Sequence, residues 1–276
     1  MITGRDVVIY FAVKYAGDWA KIYEAMQKRE TFQEEDVVAA TASLRCKVVT
    51  IIDDAYPTGL KKIYKPPFAL FYYGNLDLAY DIDKSLAVIG SRDSGPYGIK
   101  MTTQITTQLA KAGLTIVSGL AKGIDATAHW AAINAGGKTI AVLGSGIDQC
   151  YPKENRELYT LIKSDHLLLS EYPGETTPDK EHFPWRNRII AALSKGVFVS
   201  EAHKRSGTLI TVGYALYLGR EVFVLPHPAD TDTSCNQLIK DGAVLVESAQ
   251  DILDELNQNI GKSKVDTNDE SEKNVI

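Results

Sequence analysis

The chain has 276 residues, a hydrophobic fraction of 45%, a net charge of −5 and a pI of about 5.6. That length allows one large domain, or a large one with a small one beside it, and the composition is that of a globular protein with a sizeable core. No apolar run approaches the roughly 18 residues of a membrane span. The acidic balance disfavours a polyanion-coated surface but leaves room for a local basic groove.

Residues 1–45 read as two or three helices, a small helical domain. The run Val7–Val13 is short and flanked by Asp6 and Lys14, so it reads as a packed helix and not as a signal peptide. Asp18–Met26 and Asp36–Leu44 carry apolar residues at three- and four-residue spacing. Strands are expected at Val48–Ile52 and Phe68–Tyr73, the latter closed by Gly74-Asn75. From Leu86 the rhythm becomes strand, glycine loop, helix. Strands are expected at Leu86–Ile89, Leu114–Val117, Thr139–Leu143, His166–Leu169, Val197–Val199 and Glu221–Leu225. Helices are expected at Tyr97–Ala112, Asp125–Ala135, Glu154–Lys163, Arg188–Ser194, Leu209–Leu218 and Ala249–Asn257. These strands are continuous apolar runs, the mark of a parallel sheet covered on both faces. The fold class is therefore α/β, an extended Rossmann-like, doubly wound, mostly parallel sheet with a small N-terminal helical domain. The sheet domain spans 46–257, and the polar stretch 258–276 reads as a disordered tail. Cys46, Cys150 and Cys235 are sparse and odd in number, which suits reduced thiols in a cytoplasmic protein.

In such a sheet, ligands sit beyond the carboxyl ends of the strands. Four polar loops converge there. Gly90-Ser91-Arg92 follows a strand directly. Ser118–Asp125 holds two glycines and Lys122, but it is not a triphosphate-binding loop. Asp125 and His129 lie four apart on one helix, with no third ligand evident, so Asp125 is assigned to the helix start and His129 to packing. Gly144–Asp148 leads to Tyr151-Pro152-Lys153, with no G-x-G-x-x-G fingerprint for a dinucleotide. Lys180–Arg188 interleaves Lys180, Phe183, Trp185, Arg186, Asn187 and Arg188, a mixture that suits single strands, where bases stack on rings and cations meet phosphates. Glu171 and Glu201 also follow strands. No nucleophile–base constellation accompanies them, and they are assigned to orienting Arg186 or Arg188.

Taken together, Gly90-Ser91-Arg92, Ser118–Ala126, Ala128-His129, Gly137–Gly144, Tyr151-Pro152, Leu169–Tyr172, Phe183-Pro184, Arg186–Ala191, Ser206–Thr211, Leu238-Ile239 and Gly242-Ala243 resemble the DNA-processing protein A (DprA/Smf) family over about Val48 to Val246. The resemblance implies a cytoplasmic, non-catalytic protein of natural transformation. Such a protein binds and shields incoming single-stranded DNA and loads RecA onto it. It implies no cofactor, no metal and no catalytic residue, and a SAM-like character for the N-terminal helices. DNA-contacting positions then fall on Ser91, Arg92, Lys122, Lys153, Lys180, Phe183, Arg186, Asn187, Arg188, Ser206, Gly207 and Thr208. Many relatives add a winged-helix-like C-terminal domain, which this chain is expected to lack. A homodimer through the C-terminal part of the sheet domain is also implied. The apolar cluster Leu238, Ile239, Val244, Leu245 and Val246 beside the last expected strand is consistent with it. The alternative is an enzyme, a Rossmann-like nucleotide phosphoribohydrolase of the lysine-decarboxylase-like family. Gly207-Thr208 fits the middle of its G-G-x-G-T-x-x-E motif, but Thr211 stands where its glutamate should.

Overall fold

The computed structural model describes residues 2–204 and 206–257. In chain order it runs α1 (Gly4–Lys14), α2 (Trp19–Gln27), α3 (Glu34–Ala42), β1 (Lys47–Thr50), β2 (Ala69–Gly74), β3 (Ser85–Gly90), α4 (Pro96–Lys111), β4 (Thr115–Ser118), α5 (Ile124–Asn134) and β5 (Thr139–Leu143). It continues with α6 (Arg156–Asp165), β6 (Leu167–Ser170), α7 (His182–Ala192), β7 (Gly196–Glu201), α8 (Gly207–Tyr217), β8 (Glu221–Val224), α9 (Cys235–Lys240) and β9 (Val244–Leu245). Residues 249–257 form a last helical stretch. The expected tail, 258–276, lies outside the described residues.

Among the described residues the strands form one sheet in the order β1-β2-β6-β5-β4-β3-β7-β8-β9. Pairing is parallel from β6 through to β9, while β2 runs antiparallel to both β1 and β6. The sheet is thus mostly parallel and doubly wound. From β3 the chain winds outward through β4, β5 and β6, then returns to build β7, β8 and β9 on the other side. The strand order reverses at β3.

Why the strand centres are apolar follows from the layers. Ala87, Ile89, Val197, Val199, Val222 and Val224 face a core roofed by α7, α8 and α9. Their alternate neighbours Leu86, Val88, Phe198 and Phe223 face α4, α5 and the helical stretch at 249–257. Successive side chains point to opposite faces. With both faces covered, both parities are mostly apolar, and buried hydroxyls such as Ser118 and Thr139 are bonded to backbone carbonyls. At the other end of the sheet, Tyr10, Phe11, Ile22 and Val37 of α1–α3 share one buried cluster with Phe71, Ala141, Leu143 and Leu168. The N-terminal helices therefore pack directly on β2, β5 and β6. α1 begins with a capping box, in which Thr3 Oγ1 and the Asp6 carboxylate each bond the other's backbone amide.

Three elements depart from the expectations. α7 starts at His182, six residues before the expected Arg188. Pro184 sits in its first turn, where a missing N–H breaks no helical bond. α9 and β9 were not expected as elements. β9 pairs with β8, Val246 is completely buried, Leu238, Ile239 and Val244 are half-buried against the core, and Leu245 is left 47% exposed.

The helix face under β4 and β5 holds a titratable group that tests the packing. His129 is fully buried, its Nδ1 2.6 Å from Thr139 Oγ1. Burial, with His166 and Arg186 nearby, pushes its pKa down to about 3. Because the folded state disfavours the charged ring, this group's contribution to stability is present above the ordinary value of 6.5 and is lost as the pH falls towards 3. The loss reaches about 1.4 kcal/mol per pH unit. Urea midpoints are therefore expected to fall between about pH 7 and pH 5, and His129→Gln to flatten that fall. Parallel pH curves for the two proteins would refute the assignment.

Candidate nucleic-acid interface

The strand-order reversal leaves a crevice beyond the carboxyl ends of β3, β4 and β7, where ligands enter open α/β sheets. It holds a cavity of about 550 Å³. Its wall is built by residues that leave strands or begin helices. Gly90, Ser91 and Arg92 come off β3, Ala121 and Asp125 follow β4, and Ser206, Gly207 and Thr208 start α8. Phe183, Pro184, Arg186 and Asn187 come from the first turns of α7, with Lys180 just before them. Nine of the twelve sequence-derived positions thus meet in one place: Ser91, Arg92, Lys180, Phe183, Arg186, Asn187, Ser206, Gly207 and Thr208.

Two glycines make the close approaches possible. A Cβ on Gly90 would meet the Ile124 side chain at 2.5 Å and the Glu201 carbonyl oxygen at 2.9 Å, so β3 could not turn into its loop against α5. A Cβ on Gly119 would collide with the Arg186 guanidinium, which occupies the space over that glycine.

The cavity floor is polar and already bonded. Arg186 Nη1 donates to the carbonyls of Gly119 (2.8 Å) and Val142, and its Nε donates to Asn187 Oδ1 (3.1 Å). Burial lowers the Arg186 pKa to about 10, so it is a cation at neutral pH. Asp125 accepts from the amides of Gly119 (3.1 Å) and Ala121 (3.4 Å). Burial raises its pKa, and Arg186 and those amides oppose the rise. Asn187 Nδ2 donates to the Gly207 carbonyl at 3.3 Å and ties α7 to the start of α8.

The rim is different. The Arg92 guanidinium sits 5.0 Å from the Phe183 ring centroid, and Phe183 lies 5.5 Å from the Tyr151 ring at a tilt of 37°. Arg92 and Lys180 are exposed, and neither pairs with a carboxylate among the described residues. Among the described residues no side chain caps α8; the Leu209 amide bonds the Ser206 carbonyl, and the Gly207 and Thr208 amides at the positive dipole end stay open in the cavity wall. Ser206 Oγ, in the same wall, has no hydrogen-bond partner among the described residues. Free cations, aromatic faces and open amides together can hold an anionic chain that carries flat bases.

Three sequence-derived positions are not in the cavity wall. Lys153 is exposed two residues beyond Tyr151. Lys122 pairs with Glu154. Arg188 is turned away and only 1% exposed. Its Nη2 pairs with Glu171 Oε1 at 2.8 Å, it donates to the carbonyls of Lys65 and Trp185, and it lies 4.2 Å from the Trp185 ring. Glu171 therefore holds Arg188, as one of the two expected options had it. Glu201 instead accepts from the Gly95 amide (3.1 Å) at the start of α4. Sequence reasoning missed Asp93, Pro184, Ile190 and Thr211 in the wall. Once α7 and α8 are placed, helical spacing from Arg186 to Ile190 and from Thr208 to Thr211 would have found the last two.

Fold and site define an open, doubly wound α/β protein whose switch-point crevice is equipped to bind a polyanion. The family model for DNA recombination-mediator protein A matches residues 47–257, and the chain belongs to that family, also known as DprA/Smf. It is 49% identical over 227 residues to DNA processing protein DprA of Streptococcus pneumoniae, covering 81% of this chain and 79% of that protein. The crystal structure of a Streptococcus pneumoniae DprA superposes with a TM-score of 0.74 at 40% identity, covering 91% of this chain and 93% of that one. A Helicobacter pylori DprA, whose structure was described for its single-stranded DNA binding mode, superposes with a TM-score of 0.70 at 30% identity, covering 78% and 98%.

Proposed function

We propose that this chain binds single-stranded DNA without strong sequence preference, shields it, and hands it to RecA during natural transformation, as a cytoplasmic protein without catalytic activity. One observation carries the binding step. The unpaired Arg92 and Lys180 stand around the Phe183–Tyr151 pair at the mouth of the switch-point cavity. The DNA-binding unit is residues 46–257, with Ser91, Asn187, Ser206, Gly207 and Thr208 supplying polar contacts and Lys153 extending the cationic rim, while Lys122 stays paired with Glu154. Arg186 shapes the floor. The Helicobacter pylori relative's binding mode supports the choice of ligand. Against a phosphoribohydrolase reading, Thr211 stands in the cavity wall where that family needs a glutamate, and Glu171 and Glu201 are committed to Arg188 and Gly95.

Neutralising three to five phosphates makes log affinity for a single strand fall with log salt at a slope of roughly −2 to −3.5. Gel shifts at two salt concentrations, with single- and double-stranded oligonucleotides, test this. Equal affinity for duplex, or no salt dependence, would overturn the reading.

The same proposal includes a homodimer through the C-terminal part of the sheet domain, on the face that also meets RecA. What supports it is exposed apolar area in this part of the chain: Leu216 and Tyr217 of α8, 64% and 71% exposed, and Leu245 of β9. In a two-fold interface one substitution acts twice. Leu245→Arg is expected to give a monomer by light scattering while single-strand binding per monomer persists. An unchanged mass for Leu245→Arg, or a monomeric parent at micromolar concentration, would refute this interface.

A further inference from the structure

The first turn of α7 has two sides. Phe183 and Pro184 line the cavity, whereas Trp185 faces Lys65. On that second side another group of rings and cations begins. The Lys65 ammonium lies 5.1 Å from the Trp19 ring centroid, 5.2 Å from that of Tyr64 and 5.7 Å from that of Trp185. Trp19 in turn stacks on Tyr23, with centroids 5.0 Å apart and planes 14° from parallel, and on Phe68 at 5.2 Å.

The group is held in place from both ends. Arg188 donates from Nε and Nη2 to the Lys65 carbonyl at 3.3 and 3.0 Å, and Trp19 Nε1 donates to the Pro66 carbonyl at 2.8 Å. The backbone at Lys65 and Pro66 is thereby pinned between α7 and α2. Tyr64 is nevertheless 56% exposed and Tyr23 43% exposed, a large aromatic area to leave in water. Lys61 and Lys62, also exposed, sit at the end of the short helical turn Thr58–Lys62 that leads into Tyr64. None of Lys61, Lys62 and Lys65 pairs with a carboxylate among the described residues. The acids beside Trp19 and Tyr23 are taken locally, Asp18 by Lys21 and Glu24 by Lys28.

We propose that this face is a second single-strand subsite, continuous with the cavity. DNA leaving the cavity over Pro184 crosses Trp185, meets Lys65 with a phosphate, and stacks bases on Tyr64 and Tyr23. The inference rests on the reading of the cavity as a single-strand site. Charge and ring chemistry select the occupant: unpaired lysines interleaved with open aromatic faces fit an anionic chain of flat bases. Continuity selects the path. Phe183 and Trp185 lie on opposite sides of one helix, which with its side chains is about 10–12 Å across, a span of about three nucleotides at roughly 3.4 Å each.

The test separates this subsite from the cavity by oligonucleotide length. Oligothymidylates of about 6 and about 15 nucleotides span one subsite and both, within the range of single-strand site sizes. For the Tyr23→Ala/Tyr64→Ala double variant, affinity for the longer oligonucleotide is expected to fall about tenfold or more, while affinity for the shorter one stays that of the parent. Lys65→Gln is expected to reduce the salt slope for the longer oligonucleotide alone, by about 0.7. Both tyrosines are exposed, so folding is preserved; circular dichroism and the short-oligonucleotide affinity check it. Unchanged affinity of the tyrosine variant for the longer oligonucleotide, with the shorter still bound, overturns the subsite and leaves the cavity reading standing. If the parent protein binds neither length, the cavity reading fails and this inference falls with it.

Discussion

Replacing Arg188 by alanine is expected to destabilise the folded chain by about 3–5 kcal/mol, the usual cost of leaving one partner of a buried ion pair alone. The guanidinium is 1% exposed and Glu171 4%. Arg188 also carries bonds that no shorter side chain can replace: two to the Lys65 carbonyl, one to the Trp185 carbonyl, and its contact with the Trp185 ring. Removing it strands the Glu171 carboxylate, one oxygen of which already has no partner. For a protein of this size the loss corresponds to a fall in Tm of roughly 6–20 °C. The double variant Arg188→Met/Glu171→Leu is expected to recover most of the loss, because replacing a buried pair by apolar groups of similar volume is often neutral. Thermal and urea unfolding of the three proteins decide it. A single Arg188→Ala variant as stable as the parent would mean that Arg188 is not the structural cation its surroundings describe.

That arginine also shows where sequence reading stopped. In the run Arg186-Asn187-Arg188 the three side chains look alike as surface cations and donors, yet all three are buried. What buries them is α7, whose first turn is polar and contains a proline, so no apolar period marks its start. Placing the helix start at His182 separates the run by face: Arg186 and Asn187 reach the cavity, and Arg188 points to Glu171 and Lys65. The sheet was legible for the opposite reason. Runs such as Ile140–Leu143 and Leu86–Ile89 are apolar at every position because both faces are roofed, and a bounded run of that length has few other readings. β9, two residues long, and α9, six, are too short for any period to register. At the site, the loops after β3 and β4 could be found because glycine and charge directly follow apolar runs. The pairing of Lys122 with Glu154 could not, since 32 residues separate them. The aromatic face around Lys65 was equally hidden. Trp19, Tyr64 and Trp185 come from three distant segments, and only the carbonyls of Lys65 and Pro66, pinned by Arg188 and Trp19, bring them together.

Removing Arg92 and Lys180 together is expected to lower single-strand affinity by a factor of at least 100 at moderate salt, with no loss of stability. Both side chains are exposed at the cavity mouth without a carboxylate partner, so their truncation leaves the core untouched. A charge-assisted hydrogen bond contributes about 1.5–3 kcal/mol, so each single alanine variant should weaken binding by roughly tenfold to a hundredfold. The Arg92 change carries an extra term, because its guanidinium lies 5.0 Å over Phe183 and helps hold that ring where a base would stack. Loss of two phosphate contacts also makes the salt slope shallower by about 1.4. That second readout distinguishes lost phosphate contacts from a distorted site, which would weaken binding at every salt concentration without changing the slope. Lys122→Ala serves as a comparison, since that lysine is already paired with Glu154 and outside the cavity wall. Its effect should be several-fold at most. Parent-like affinity of the Arg92→Ala/Lys180→Ala variant, or an unaltered salt slope, would remove the cavity mouth from the DNA path.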